Sequence, residues 1–205
     1  MARKARIAVL VSGGGTNLQA ILNASARGEI PHGEVVLVVS NKADAYALTR
    51  ARTANVEAVT LLKKALGGQA GFEAALQKLL TDRGIDLIVL AGFLSILSAD
   101  FVNAWQRRIL NVHPSLIPSF CGAGFYGLKV HEAALEKGVK VTGATVHFVN
   151  EIPDGGEILY QKAVRVLPGD TPEKLQKRVM RQAEWKLLPQ AVETVSKEIT
   201  EQETF

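Results

Sequence analysis

The sequence predicts an α/β fold: a Rossmann-like, mostly parallel sheet with helices on both faces and an antiparallel edge addition in the C-terminal half. Three observations predict it. Short β-branched apolar runs alternate with segments of helical periodicity over the first ninety residues, the pattern of successive βα units. A glycine-rich loop, Ser12-Gly13-Gly14-Gly15-Thr16-Asn17, joins the first strand directly to the first helix. Beyond residue 140 two extended runs flank a Pro153-Asp154-Gly155-Gly156 turn, which favours antiparallel pairing.

The first strand is residues 7–11, and Leu18, Ile21, Leu22 and Ser25 then recur at helical spacing. Gly28 and Pro31 close that unit. Residues 35–40 form the second strand, residues 44–54 a helix with Asp44 as N-cap, and residues 56–61 the third strand. Residues 67–71 read as a flexible loop before a helical face of Phe72, Ala75, Leu76 and Leu79, and residues 85–90 as the fourth strand. Residues 91–97 lead to a short helix from Ser98 to about Ala104. An apolar strand within residues 108–118 follows and is stopped by Pro114 and Pro118.

Residues 119–127 have no period and read as a mobile loop; residues 132–137 form the body of a helix stopped by Gly138. Residues 140–150 place Val141, Gly143, Thr145, His147 and Val149 on one face, and residues 157–166 are a second extended run. Thr171-Pro172-Glu173 combines an N-cap, a first-turn proline and a first-turn acid. A long helix starts there, with Leu175, Val179, Ala183 and Leu187 four apart, and the polar tail from residue 193 is expected to fray.

A chain of 205 residues with 47% hydrophobic content suits one domain spanning 1–205. The pattern divides it into residues 1–90, the βα half that carries the glycine loop, residues 91–192, where the pattern changes character, and residues 193–205, a polar tail. The net charge of +4 favours small anions but is not gathered into a stripe, so nucleic acid is not an expected partner. The apolar run after the basic start is too short for a signal peptide, and nothing approaches the ~18–20 apolar residues of a membrane span. With a single cysteine, Cys121, the expected location is cytoplasmic, with no disulfide, and no cysteine-based zinc site is expected.

Asn111 and His113 lie two apart on a strand and so share a face, pairing a neutral amide donor with a proton carrier at a strand's carboxyl end. That pairing suits attack on a carbonyl, although a histidine near a strand end is also often only a satisfied polar group. Asp154 reaches the imidazole if the edge strands fold back beside it; otherwise it is a turn residue capping its own backbone. Thr145 and His147 share a strand face and are supporting candidates. Three consecutive glycines at a helix N-terminus suit a phosphate, with Gly13, Gly14 and Gly15 permitting close approach and Thr16 and Asn17 adding donors. The loop lacks the lysine of a Walker motif and the third glycine of the dinucleotide fingerprint, so a monophosphate is the better match, and three consecutive glycines in that context favour phosphate over a simple tight turn. The separated histidines show no metal-ligand spacing, and no metal is expected. Arg181 and Glu184, three apart on a helix, share a face and on spacing alone read as a solvated ion pair.

Five motifs in order, Ser-Gly-Gly-Gly-Thr-Asn-Leu-Gln-Ala (12–20), Ser-Asn-Lys-Ala-Asp-Ala (40–45), Leu-Ala-Gly-Phe (90–93), Asn-Val-His-Pro-Ser-Leu-Ile-Pro (111–118) and Thr-Val-His-Phe-Val-Asn-Glu-Ile-Pro-Asp-Gly-Gly (145–156), resemble the phosphoribosylglycinamide formyltransferase family. The resemblance spans nearly the whole chain. It implies transfer of a formyl group from 10-formyltetrahydrofolate, as cosubstrate, to the amine of 5-phosphoribosylglycinamide in purine biosynthesis. It implies Asn111, His113 and Asp154 as the catalytic trio. It assigns Gly13, Gly14, Gly15, Thr16, Asn17, Arg181 and Glu184 to the ribonucleotide. Leu94, Ser95, Ile96, Leu97, Asn111, Asn150, Glu151, Ile152, Pro153 and Asp154 fall to the folate.

The chain departs from the family at Ser95 and Gln69, where relatives carry arginines near the folate, and in residues 119–126, which are longer than usual with Lys129 where a histidine is common. The alternatives are a formyltetrahydrofolate deformylase-like hydrolase, which has no use for a phosphate loop, and a non-catalytic nucleotide-binding module, which needs no catalytic trio. The expected partners are small molecules only, and oligomeric state is not legible.

Overall fold

The structure, a computed structural model, describes residues 3–202. Seven strands form one sheet in the order β3-β2-β1-β4-β5-β6-β7. The parallel part comprises β1 (Ala5–Val11), β2 (Gly33–Ser40), β3 (Glu57–Thr60), β4 (Leu87–Leu90) and β5 (Ile109–His113). Antiparallel to β5 runs β6 (Val141–Phe148), and antiparallel to β6 runs the edge strand β7 (Ile158–Arg165). The helices are α1 (Thr16–Ala26), α2 (Tyr46–Thr53), α3 (Gln69–Asp82), α4 (Ala99–Ala104), α5 (Leu128–Lys137), α6 (Pro172–Val179) and α7 (Trp185–Gln202), with a π-helical turn, Met180–Glu184, between the last two. The predicted class is the observed one.

Alternation along the strands separates two cores. Ile7, Val9 and Val11 of β1, with Leu87 and Val89 of β4, pack toward Leu18 and Ile21 of α1, Leu175 of α6 and Leu188 of α7. Ala8, Leu10, Ile88 and Leu90 pack on the opposite face toward Phe72 and Leu76 of α3 and Phe101 of α4. The central strands are apolar on both faces because both are covered. On β5, Leu110 and Val112 belong to the first core and Ile109 to the second, so Asn111 and His113 project on the side of Ile109.

Several local expectations are corrected. The N-cap of α2 is Ala45, not Asp44, and carries no side-chain cap; the helix instead places the Ala47 N–H on the Gly13 carbonyl at 3.1 Å. Of the predicted flexible loop at 67–71, only Gly67 and Gly68 lie outside a helix, because α3 begins at Gln69. A Cβ at Gly71 would lie 1.7 Å from the Leu66 carbonyl oxygen, so this glycine lets the preceding turn approach the start of the helix closely. Helix α5 starts four residues earlier than its predicted body, at Leu128. The link from β6 to β7 is not a tight turn but residues 149–157, which fold back over β5 through a bond from Val149 N–H to the Ile109 carbonyl at 2.9 Å.

The long C-terminal helix buries Leu175, Val179, Ala183 and Leu187 as its spacing predicts, but it is interrupted by the π-helical turn. The expected fraying from residue 193 is not observed over the described part: α7 runs to Gln202 and buries Val195, Ser196 and Ile199. Counting polar residues misjudged that segment, since every third or fourth position supplies an apolar stripe to the core. Residues 203–205 lie outside the described part.

Candidate active site

Strand β5 presents Asn111 and His113 at the carboxyl edge of the sheet, and its register sets their neighbours. Asn111 is opposite His147, and His113 opposite Thr145, both on β6. Cross-strand partners on one face lie within reach of each other, so two polar pairs are stacked where Ile109 ends the apolar run. Thr145 lines neither of the two cavities that adjoin this pair. Its hydroxyl donates to the Ser115 carbonyl at 2.7 Å and accepts from Ile117 N–H at 3.1 Å, which fastens the chain leaving His113.

The 149–157 loop brings Asp154 back over this pair. Asp154 Oδ2 lies 3.4 Å from His113 Nδ1, and Oδ1 lies 3.5 Å from both His147 Nε2 and Asn111 Nδ2. Gly122 N–H donates to Asp154 Oδ2 at 2.8 Å, and Asp154 itself sits at φ 56°. Burial pushes the Asp154 carboxyl up, but its bond to His147, the Gly122 N–H and the charges of the two imidazoles outweigh burial and hold it below the usual range. It is therefore a carboxylate at neutral pH.

His147 Nδ1 lies 2.8 Å from the Phe148 carbonyl, which can only accept, so this nitrogen carries a proton. Its Nε2 then accepts from Asn111 Nδ2 at 3.2 Å when bare, or pairs with Asp154 when protonated. His113 Nε2 lies 2.8 Å from the Phe120 carbonyl, so it too carries a proton. Residues 119–127, read from sequence as a mobile loop, are thus tied to His113 through Phe120 and to Asp154 through Gly122. Within the loop the Cys121 thiol is pushed up by burial and then by the Asp154 charge, which suppresses its reactivity.

Two adjoining cavities open here. The larger, about 580 Å³, is lined by Asn17, residues 92–96, Asn111, His113, Asp154, residues 122–127 and the helical residues His131, Gln176, Met180 and Glu184. The smaller, about 140 Å³, is mostly apolar, with Leu90, Phe93, Leu97, Val102 and Val149, and has Asn111, His147 and Asp154 at its polar end. Residues 150–153 also line it. Asn111 and Asp154 belong to both walls.

Asn17, in the first turn of α1, donates to Glu184 Oε2 at 2.7 Å, while its own Oδ1 is buried without a partner. Burial pushes Glu184 up to about 7 against the opposing effect of that bond. Arg181 is exposed and does not line either cavity. The expectation that Arg181 and Glu184 share a face assumes α-helical spacing. In the wider π-helical turn, residues four apart align better than residues three apart, and Met180 and Glu184 are the two that face the cavity.

Of the folate candidates, Ser95, Ile96 and Leu97 line the smaller cavity and Leu94 the larger. Ser95 accepts from Asn41 Nδ2 at 2.8 Å, and Gln69 donates to the Ile96 carbonyl at 3.0 Å while also contacting Lys63 and Glu73. Gln69 thus braces this segment from behind. Gly13 and Gly14 are exposed and Gly15 and Thr16 half-buried, and of residues 13–17 only Asn17 lines the larger cavity.

Sequence reasoning missed Phe120 and Gly122, whose backbone rather than side-chain groups meet the site. It also missed Gln176 and Met180, which their four-residue spacing to Glu184 marks. The imidazole of His131 is fully buried, its nitrogens have no partner, and burial followed by the nearby His113 pushes it down to about 4.

Known proteins share this fold. The formyl transferase family model matches residues 5–192. A phosphoribosylglycinamide formyltransferase of Haemophilus influenzae is 41% identical over 184 residues, covering 90% of this chain and 84% of the relative. The trifunctional purine biosynthetic protein adenosine-3 of Gallus gallus is 45% identical over 193 residues, which are 94% of this chain but only 18% of that protein. A solved glycinamide ribonucleotide transformylase 1 from Symbiobacterium toebii superposes with a TM-score of 0.89 at 44% identity, covering 95% of this chain and 89% of that one. A match over nearly all of the sheet and its helices, at this identity, assigns the molecule: the chain belongs to the formyl transferase family.

Proposed function

We infer that this chain is a phosphoribosylglycinamide formyltransferase, moving the formyl group of 10-formyltetrahydrofolate to the amine of 5-phosphoribosylglycinamide in purine biosynthesis. The observation that carries this reading is the pair of adjoining cavities that share Asn111 and Asp154. A transferase must hold donor and acceptor together, and fixing both in one cleft is itself a large share of the rate enhancement. The smaller, apolar cavity suits the flat pterin head of the folate, with Asn111, His147 and Asp154 at its polar end. The larger suits the ribonucleotide, with its phosphate at Gly13, Gly14, Gly15, Thr16 and Asn17 and its ribose hydroxyls at Asn17 and Glu184. Arg181, being exposed, acts on the phosphate by charge at a distance.

The acceptor amine attacks the formyl carbon and negative charge develops on the formyl oxygen. Asn111 Nδ2 and the Nε2 proton of His113 are the donors placed to meet it, and losing one such donor typically lowers turnover by ~10²–10³. His113 serves in this way once its Nε2 exchanges the Phe120 carbonyl for substrate, so residues 119–127 must shift as the acceptor enters. Asp154, ionised and facing Nδ1, orients the imidazole and offers the base through which the amine's proton leaves as the folate nitrogen regains one. A cytoplasmic location suits the single unpaired cysteine, Cys121.

The test follows tetrahydrofolate release from 10-formyltetrahydrofolate with and without the ribonucleotide. Release only with the ribonucleotide is expected. Release in water alone would mark a hydrolase, and no release in either condition a binding module.

A further inference from the structure

Helix α2 holds the glycine loop from behind. Ala47 N–H donates to the Gly13 carbonyl at 3.1 Å, and Arg50 Nε donates to the Gly14 carbonyl at 2.8 Å. Arg50 is itself fixed: Nη1 donates to Gln19 Oε1 of α1 at 2.9 Å, and the guanidinium carbon lies 5.0 Å from the centre of the Tyr46 ring. In a trans peptide the N–H points opposite to the C=O. Anchoring the Gly13 and Gly14 carbonyls on α2 therefore turns the N–H groups of Gly14 and Gly15 away from α2, and no described residue accepts from either. They extend the row of first-turn N–H groups of α1, a helix that has no side-chain cap.

The approach of α2 also explains the third glycine. Gly15 adopts φ 70°, ψ 35°, and a Cβ there would lie 2.6 Å from Ala47 Cβ. A second observation lies in the same turn: Asn17, 9% exposed and lining the larger cavity, has its Oδ1 without a partner, an acceptor that suits a hydroxyl of the ribonucleotide and not its phosphate.

We propose that Arg50 is a positioning residue for phosphate recognition, holding the Gly14 carbonyl toward α2 so that the Gly15 N–H, beside the Gly14 N–H that Ala47 sets, faces the phosphate of the ribonucleotide. This rests on the ribonucleotide reading of the larger cavity. Arg50 touches the loop and not the substrate. Without its donors the Gly14–Gly15 peptide is free to rotate, and a rotated peptide offers a carbonyl where the anion needs an N–H. Pre-set orientation spares the loop that ordering on binding.

The experiment compares Arg50→Met, which keeps the side-chain stem beside Tyr46 but removes the donors, with Arg50→Lys, which restores one donor. Steady-state kinetics use the ribonucleotide and its dephosphorylated riboside as alternative acceptors. For Arg50→Met we expect KM for the ribonucleotide to rise about tenfold with kcat within about twofold, as for loss of a charge-assisted bond that acts on binding alone. Both constants for the riboside should stay at their wild-type values, and Arg50→Lys should recover part of the KM. Equal changes for both acceptors, or none, would overturn the role of Arg50. If Arg50→Met does not fold, Arg50→Lys with unchanged ribonucleotide KM overturns it equally, and a raised KM for the ribonucleotide alone supports it. Wild-type enzyme that does not prefer the ribonucleotide over the riboside would overturn the phosphate reading beneath it.

Discussion

Asp154 sits in the loop between β6 and β7, Glu184 in the π-helical turn before α7, and both line the larger cavity. Burial raises each carboxyl, yet the outcomes are opposite. Asp154 is opposed by His147, by the Gly122 N–H and by the charges of two imidazoles, and ends below its ordinary value. Glu184 is opposed only by Asn17 and rises to about 7. One end of the cavity therefore keeps a fixed negative charge beside Asn111 and His113. The other keeps a carboxyl that exchanges between donor and acceptor near neutrality, which matches sugar hydroxyls that can do either. The residue types are nearly the same, and the difference lies in how many donors and cations the fold turns toward each.

The largest effects are expected at the charged end. Asp154→Asn should lower kcat more than ~10²-fold and leave ribonucleotide affinity, measured by calorimetry, close to wild type. His113→Ala should do the same, because Asp154 acts through the imidazole it faces, and the double variant should be little worse than either single one. Additive losses in the double variant would show that the two groups act separately. A matching loss of binding would mean that Asp154 mainly holds residues 119–127 through Gly122, and the contrast with Glu184 would then be one of architecture rather than chemistry.

The neutral end yields a smaller effect with a distinctive pH dependence. Folded Glu184 titrates at about 7 against an ordinary value of 4.5, so between these limits the folded state holds more protons than the unfolded one. Stability then falls as pH rises through that window, and the Glu184 contribution is fully present only below it. The loss is on the order of 3 kcal/mol if the whole shift is expressed. Glu184→Gln keeps a partner for Asn17 but cannot ionise. In urea unfolding at pH 5 and pH 8, the wild type should lose more stability between the two than the variant does. Ribonucleotide KM should rise several-fold in Glu184→Gln, with kcat little changed. Parallel stability curves for the two proteins would remove Glu184 as a titrating group.

How much of this was legible in the sequence differs between the two ends. The order of strands and helices followed from apolar periodicity, and Asn111 and His113 could be placed on one face because strand side chains alternate. The return of Asp154 to them could be stated only as a condition, since it depends on β6 pairing antiparallel with β5 and on a nine-residue link folding back. The helical end was read less well. Spacing alone put Arg181 beside Glu184, and nothing local announces that residues 180–184 widen into a π-helical turn. Likewise Phe120 and Gly122 enter the site through a carbonyl and an N–H, which every residue carries, so no side-chain motif reports them. Polar residues in 193–202 suggested fraying because their count, not their position around the helix, was weighed.

The smallest expected effect tests that last geometry. If Arg181 reached the phosphate directly, Arg181→Ala would remove a charge-assisted bond, and KM for the ribonucleotide would rise about tenfold or more at any salt concentration. In the structure Arg181 is exposed and outside the cavity wall, while Met180 and Glu184 form it. Its guanidinium can then attract the phosphate only across solvent, where unit charges about 10 Å apart are already largely screened at 0.1 M ionic strength. Arg181→Ala should therefore raise KM no more than about threefold in dilute buffer. The difference should vanish toward 1 M salt, where the screening length contracts to about 3 Å. Kinetics at the two salt concentrations separate the cases: a tenfold effect that survives salt would mean that the π-helical turn rewinds when the ribonucleotide binds, bringing Arg181 and Glu184 onto one face.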